Sequence, residues 1–336
     1  MMRSTILLSG LLLCSAGAFS QSMFSMNSQH PADTGRSEKH EQAIRFPSLR
    51  QAAVWVDFFG SSHYVSKLNG KDFASGKTRN ARLSSFFNIP ITRWNGNAIS
   101  ATVYHTENFF DVRSANNQLA EPQVMTGNRA KGTLGLSLNF SRIDVLFNTP
   151  VIYSAIFTGV SDNDNLSTVR RLNFNGAISF PIVHTADKYL SLGLLVAIDP
   201  SSPTPVVPLV NYFQRLNNHG LQLAIDLPQG VSIRQALSRN TWIYFASNDR
   251  SYATFYKGSN ATALPDKFSY NTIELQTGPG FEYLIGKYVI LGISGGLNST
   301  LSGVGLAKGK SYNDPFIRTT YKSSGYGEFR ISLLPF

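Results

Sequence analysis

Ten ionisable residues stand at positions where a strand-like alternation would turn them all to one side of a wall: Asp57, Arg82, Asp144, Arg171, Asp226, Arg234, Glu274, Glu282, Glu328 and Arg330. Such a set has two chemical uses. In a water-filled pore it shapes the field at a constriction, and in a narrow closed barrel it neutralises itself as ion pairs. Paired acid/base work is a third use, but spacing argues against it. Glu274 and Glu282 lie eight residues apart on one run, about 26 Å at ~3.3 Å per strand residue, too far for two carboxylates to share a substrate. His63 or His105 with a rim serine would be needed for a surface lipid-modifying hydrolase, the alternative enzyme reading; the one G-x-S-x-G, Gly292–Gly296, falls inside the period-two run at 288–298 and not at a strand-to-helix turn, so no nucleophile elbow singles out a serine. Asp162-Asn-Asp-Asn165 has the flavour of a calcium loop without its downstream glycine and glutamate, and the six histidines are scattered. The single cysteine, Cys14, lies in the leader described below, so disulfides and thiolate sites are excluded from the mature chain. No enzyme activity, metal or cofactor is therefore expected.

The elements that would position these charges are strands. Leu134, Leu136, Leu138 and Phe140 alternate with Thr133, Gly135, Ser137 and Asn139; Leu221, Leu223, Ile225 and Leu227 alternate with Gln222, Ala224 and Asp226. Around 270–285, Ile273, Leu275, Phe281 and Tyr283 oppose Thr272, Glu274, Gln276 and Glu282. A soluble core does not accept so many carboxylates and amides on its strands, whereas a wall with lipid outside and a polar lumen does. Period-two runs fall at 52–59, 81–91, 97–105, 132–141, 143–158, 169–183, 188–198, 206–215, 220–228, 231–237, 241–248, 270–285, 288–298 and 324–334. The expectation is an all-β fold, a transmembrane antiparallel up-and-down β-barrel of about 14 strands. Twelve is the runner-up if 220–237 is one bent strand or the first run is not part of the wall. Long connections at 60–80, 106–131, 159–168, 249–269 and 299–323 alternate with short ones such as Arg93–Asn97, Ser141–Arg142 and Gly286–Lys287. That is the asymmetry of outer loops and periplasmic turns. Phe58, Phe59, Trp94, Tyr153, Tyr189, Trp242, Tyr283 and Tyr288 stand near strand ends, as interfacial girdles would.

Both ends of the chain fit export and assembly. A basic start, an apolar stretch at Ile6–Ala18 and Ala18-Phe19-Ser20 before Gln21 read as a signal peptide over 1–20. Residues 21–50 are polar and read as a periplasmic leader or a short plug anchored by Arg45-Phe46-Pro47; 51–336 read as the barrel. In the last run Phe329, Ile331 and Leu333 fall on one face and Glu328, Arg330 and Ser332 on the other. With Tyr326 and the terminal Phe336, this forms the expected signal to the barrel-assembly machinery. Without Arg3 the mature chain keeps 29 basic against 20 acidic residues. No basic run accompanies that excess, so lipopolysaccharide phosphates and outer-membrane lipids are the expected partners rather than nucleic acid.

The leader, Leu227-Pro228 followed by Arg234, Leu237 and Ser238, the late Gly278-Pro-Gly-Phe-Glu282 and the Tyr326–Phe336 strand together resemble a family of functionally uncharacterised Gram-negative outer-membrane barrels of Bacteroidota type. Pro335 just before Phe336 departs from the usual closing strand. The resemblance implies a bacterial outer-membrane location and no reaction. The expected function is a channel or facilitated transporter for an unknown small solute, its selectivity set by lumen charges. The alternative is a non-conducting structural or adhesive envelope barrel that works through its outer loops.

Overall fold

Strands with one apolar face and two hydrogen-bonding edges leave no exposed edge only by closing on themselves, and this chain closes. The computed structural model describes residues 38–117, 127–162, 165–185, 187–199, 201–216, 220–257 and 264–335. The expected signal peptide, most of the expected leader and Phe336 lie outside the described residues. A helix, α1 (Glu38–Arg45), and a 3-10 turn (Pro47–Leu49) precede the strands. These are β1 (Ala52–Phe59), β2 (Ser62–Leu68), β3 (Lys71–Trp94), β4 (Asn97–Asn117), β5 (Gly127–Leu146), β6 (Thr149–Asp162), β7 (Asn165–His184) and β8 (Lys188–Ile198). There follow β9 (Val206–Arg215), β10 (Leu221–Leu227), β11 (Gly230–Ser238), β12 (Thr241–Lys257), β13 (Lys267–Ile285), β14 (Val289–Ala307), β15 (Ile317–Tyr321) and β16 (Ser324–Leu333).

Sixteen segments make fourteen wall strands. β3 pairs with both β1 and β2, and β14 with both β15 and β16, so each couple is one interrupted strand. The seam joins the first strand to the last: Ala52 to Phe59 lie opposite Leu333 to Tyr326, and Tyr64 to Leu68 opposite Tyr321 to Ile317. The Gly60 amide donates to Gly325 O at 2.8 Å across the interruption. The alternative of twelve fails at Pro228–Gln229, a two-residue turn that leaves Asp226 paired with Gly230.

The two faces separate as alternation requires. On β5, Leu136 and Leu138 are 58 % and 51 % exposed to the lipid side, while Ser137 and Asn139 are 2 % and 3 % exposed. Polar side chains inside pair across strands, as in Ser137–Thr158 at 2.8 Å and Thr102–Asn88 at 2.7 Å.

Two features depart from expectation. The supposed outer loops at 60–80, 106–131, 249–269 and 299–323 are largely strand, and β3 reaches 24 residues where about 9–11 suffice to cross a bilayer. An Asn69-Gly70 turn with positive φ at both residues caps the first of these hairpins. By contrast β10 has 7 residues and β11 has 9. The wall is therefore tall at β2–β5 and β12–β15 and low at β8–β11. Second, the β5–β6 hairpin turns at Phe147-Asn148, both with positive φ, and not at Ser141-Arg142. Phenylalanine rarely takes that conformation, so the sequence conceals the turn.

Candidate functional site

The lumen is built from its floor upward. α1 carries Arg45 in its last turn, a charge matched to the helix dipole. It presents Ala43 and Ile44 to an apolar cluster with Phe46, Leu49, Phe213, Trp242, Leu284 and Ile290. Those wall residues lie at the turn-rich end of the barrel, where the first strand begins. Residues 38–51 thus close that mouth from within. Arg50, fully buried, holds them there: it donates to Ala43 O at 3.2 Å, to Ser332 Oγ at 2.8 Å and to Glu282 Oε1 at 2.8 Å. Arg234 gives Glu282 Oε2 a second bond at 2.8 Å, and its other nitrogen donates to Ile44 O. The Arg234 guanidinium also lies 4.8 Å over Trp242, which points inward rather than to a membrane girdle. Phe59, another expected girdle residue, is likewise inside.

Above the floor is an inner chamber of about 320 Å³ lined by Phe46, Tyr104, Asp226, Tyr244, Arg250 and Glu328 among others. Glu328 accepts from Arg250 at 3.0 Å and from Arg330 at 2.8 Å. Both guanidinium groups lie over the Trp55 ring, at 5.4 and 5.2 Å. Asp57, fully buried, stands in the ladder between Glu328 on β16 and Arg82 on β3. Tyr104 and Tyr244 lie flat on neighbouring strands because their cross-strand partners are Gly135 and Gly280.

The lumen then narrows. β5 and β12, on opposite sides of the fourteen-strand ring, approach within 8 Å, Cα to Cα. Among the described residues, the upper part of β12 above β11 pairs with β13 alone, and β5 above β6 with β4 alone. β7 bonds back to β13 from the low wall, Arg171 donating to Asn271 Oδ1 at 3.3 Å while pairing with Asp199 at 3.3 Å. The tall strands enclose an outer chamber of about 130 Å³, whose lining among the described residues comes from the top of β1 and Gly60, from β2–β5, from β12–β15 and from residues 322–324. Its base is Arg82, bound to Glu274 at 2.9 and 3.1 Å and to Asn108 at 2.7 Å. The guanidinium is held between Tyr252 at 3.5 Å and Phe59 at 5.0 Å. Tyr252 lines both chambers and is the partition between them.

Of the ten residues singled out by sequence, Asp57, Arg82, Arg171, Asp226, Arg234, Glu274, Glu282, Glu328 and Arg330 point into the barrel. Asp144 does not. With the turn at Phe147-Asn148, it shares the outward phase of Leu136 and Phe140 and pairs with Arg142 on the surface at 2.7 Å. Ile273, expected toward lipid, is buried above a β-bulge at Ile273/Glu274. Phe329 and Ile331 face outward, whereas Tyr326 faces the inner chamber. Arg50 and Arg250 were not anticipated. The first lies in a segment without alternation. The second continues the inward phase of Ala246 and Asn248 into what read as a loop. His63 and His105 are not brought together: they face Lys77 and Ser85, eight residues apart on β3. His105 instead approaches Glu107 at 3.6 Å.

No family model matches the chain, and no curated protein matches it. Among solved structures, an outer-membrane channel from Pseudomonas putida F1 aligns over 84 % of this chain and 95 % of its own, with 9 % identity and a TM-score of 0.34. The Pseudomonas putida toluene transporter TodX aligns over 93 % and 96 %, with 11 % identity and a TM-score of 0.31. The translocator domain of the autotransporter NalP from Neisseria meningitidis aligns over 87 % and 94 %, with 11 % identity and a TM-score of 0.29. Likeness at this level carries nothing about function, and the barrel rests on its own strand pairing.

Proposed function

We propose that this protein is a facilitated transporter for small solutes in the outer membrane of a Gram-negative, Bacteroidota-type bacterium, and that the described conformation is its closed state. One observation carries the reading: two solute-sized chambers lie in series in the lumen, divided by Tyr252 and closed below by α1 and the Pro47–Leu49 turn. A structural barrel has no need of chambers in series, and an open diffusion pore would not bring β5 and β12 within 8 Å. Solute would pass from the outer chamber past Tyr252 and Arg82 to the inner one, and leave when the floor is displaced. The apolar outer band would meet lipid and the excess positive charge lipopolysaccharide, while Tyr326, Phe329, Ile331, Leu333 and Phe336 would serve recognition by the barrel-assembly machinery.

Planar-bilayer recording and liposome swelling test this on wild type and on Ile44→Asp/Phe46→Ser, with heat-modifiable gel migration to confirm folding. The wild type should admit small solutes while showing little steady ionic current, and the folded variant should conduct continuously. Silence from both proteins in both assays would overturn transport and favour a structural barrel.

A further inference from the structure

We propose that the outer chamber binds a single-ring aromatic solute carrying one hydroxyl or amine, with phenol as the simplest example. This rests on the transporter reading in that it names the class of solute. Size is the first ground. A cavity of about 130 Å³ compares with the roughly 150 Å³ of an engineered apolar cavity that takes up benzene. One ring fits within that volume. The lining is the second ground. Phe59, Tyr64, Phe110, Phe268, Tyr270 and Tyr321 supply ring faces and edges, which favour a planar π-system by edge-to-face and offset contacts.

The polar groups decide the rest. Several are already committed: Ser66 to Thr319 at 2.8 Å, Thr78 to Asn80 at 2.7 Å, Tyr270 to Tyr321 at 2.8 Å, and Asn108 to Arg82. Arg82 is neutralised by Glu274 in a two-bond pair, so the base of the chamber offers no free charge to an anion. Two lining residues, Tyr252 and Asn298, 9 % and 6 % exposed, each carry a buried polar atom without a hydrogen-bond partner, Tyr252 Oη and Asn298 Oδ1. An amide oxygen only accepts and a phenolic hydroxyl both donates and accepts, so the pair suits a ligand with one O–H or N–H. A sugar ring is neither planar nor aromatic, so the ring faces of the lining favour it less than a planar π-system.

Titration calorimetry of the folded barrel in detergent, with empty micelles as blank, tests the assignment using phenol, cyclohexanol and glucose. Phenol should bind saturably at one per barrel, cyclohexanol about tenfold more weakly, and glucose without measurable heat. Tyr252→Phe keeps the ring against Arg82, and Asn298→Leu keeps the approximate volume. Each should weaken phenol about five- to tenfold, the effect of one neutral hydrogen bond. Equal binding of cyclohexanol and phenol by the wild type would overturn the proposal whether or not the variants fold. So would phenol affinity unchanged in both folded variants. Saturable phenol binding by a barrel that passes no solute would leave the site standing and remove the transport reading; conduction without phenol binding would do the reverse.

Discussion

Glu282 holds the floor, and its removal should be the most costly conservative change in the lumen. The side chain is 3 % exposed and accepts one bond from Arg50 and one from Arg234, each at 2.8 Å. Glu282→Gln removes the charge and one of the two acceptor oxygens and leaves two guanidinium groups, 0 % and 7 % exposed, without a counter-charge. Losing one partner of a buried pair costs about 3–5 kcal/mol, two to nearly four decades in the folding equilibrium. The retained amide oxygen places this variant near 3. Because both arginines also bond the carbonyls of Ala43 and Ile44, the floor should loosen along with the wall. Urea unfolding in lipid vesicles, followed by tryptophan fluorescence, measures the first effect; Trp242 reports directly, lying over Arg234. Bilayer recording measures the second as a rise in open time. Arg50→Met and the double variant complete a cycle whose coupling should fall at about 1–3 kcal/mol, the range for residues in one network. Additivity within about 0.5 kcal/mol, or an unchanged stability for Glu282→Gln, would refute the account of Glu282 as the shared counter-ion.

Because Cys14 is the one cysteine of the sequence, single cysteines placed in a Cys14→Ser chain should report facing cleanly: Leu136→Cys should react with lipid-soluble reagents, Ser137→Cys only with small water-soluble ones, and Ile273→Cys slowly with both, whereas fast lipid-phase labelling at 273 would contradict the burial of that side chain. Two glycines on that strand should behave oppositely. A Cβ at Gly280 would lie 2.2 Å from Tyr244 Cζ, so Gly280→Ala should lift the ring into the inner chamber and lower solute flux in the swelling assay with the barrel intact. At Gly278 it would lie 2.1 Å from Gly295 O, so Gly278→Ala should break the β13–β14 approach and leave the band unfolded on an unheated gel.

Strand identity and number were legible because alternation is local: a run such as Leu134–Phe140 states its two faces within a few residues. All fourteen wall strands carry that signal, and even the turn at Pro228–Gln229 is consistent with their parity. Local signals failed where the chain broke a local rule. Phe147 adopts positive φ, which moved the β5–β6 turn and reversed the facing of Asp144, and the hairpins above the bilayer kept their alternation in segments whose polarity resembled loops. What alternation cannot convey is who meets whom across the lumen. Arg50 and Glu282 are 232 residues apart, Arg82 and Glu274 192. Their contacts depend on ring closure, on the stagger of every pairing between them, and on the walls at β5 and β12 bending together. Those are properties of the closed ring as a whole, so the chambers, their partition and their floor were decided only when the fourteenth strand paired with the first.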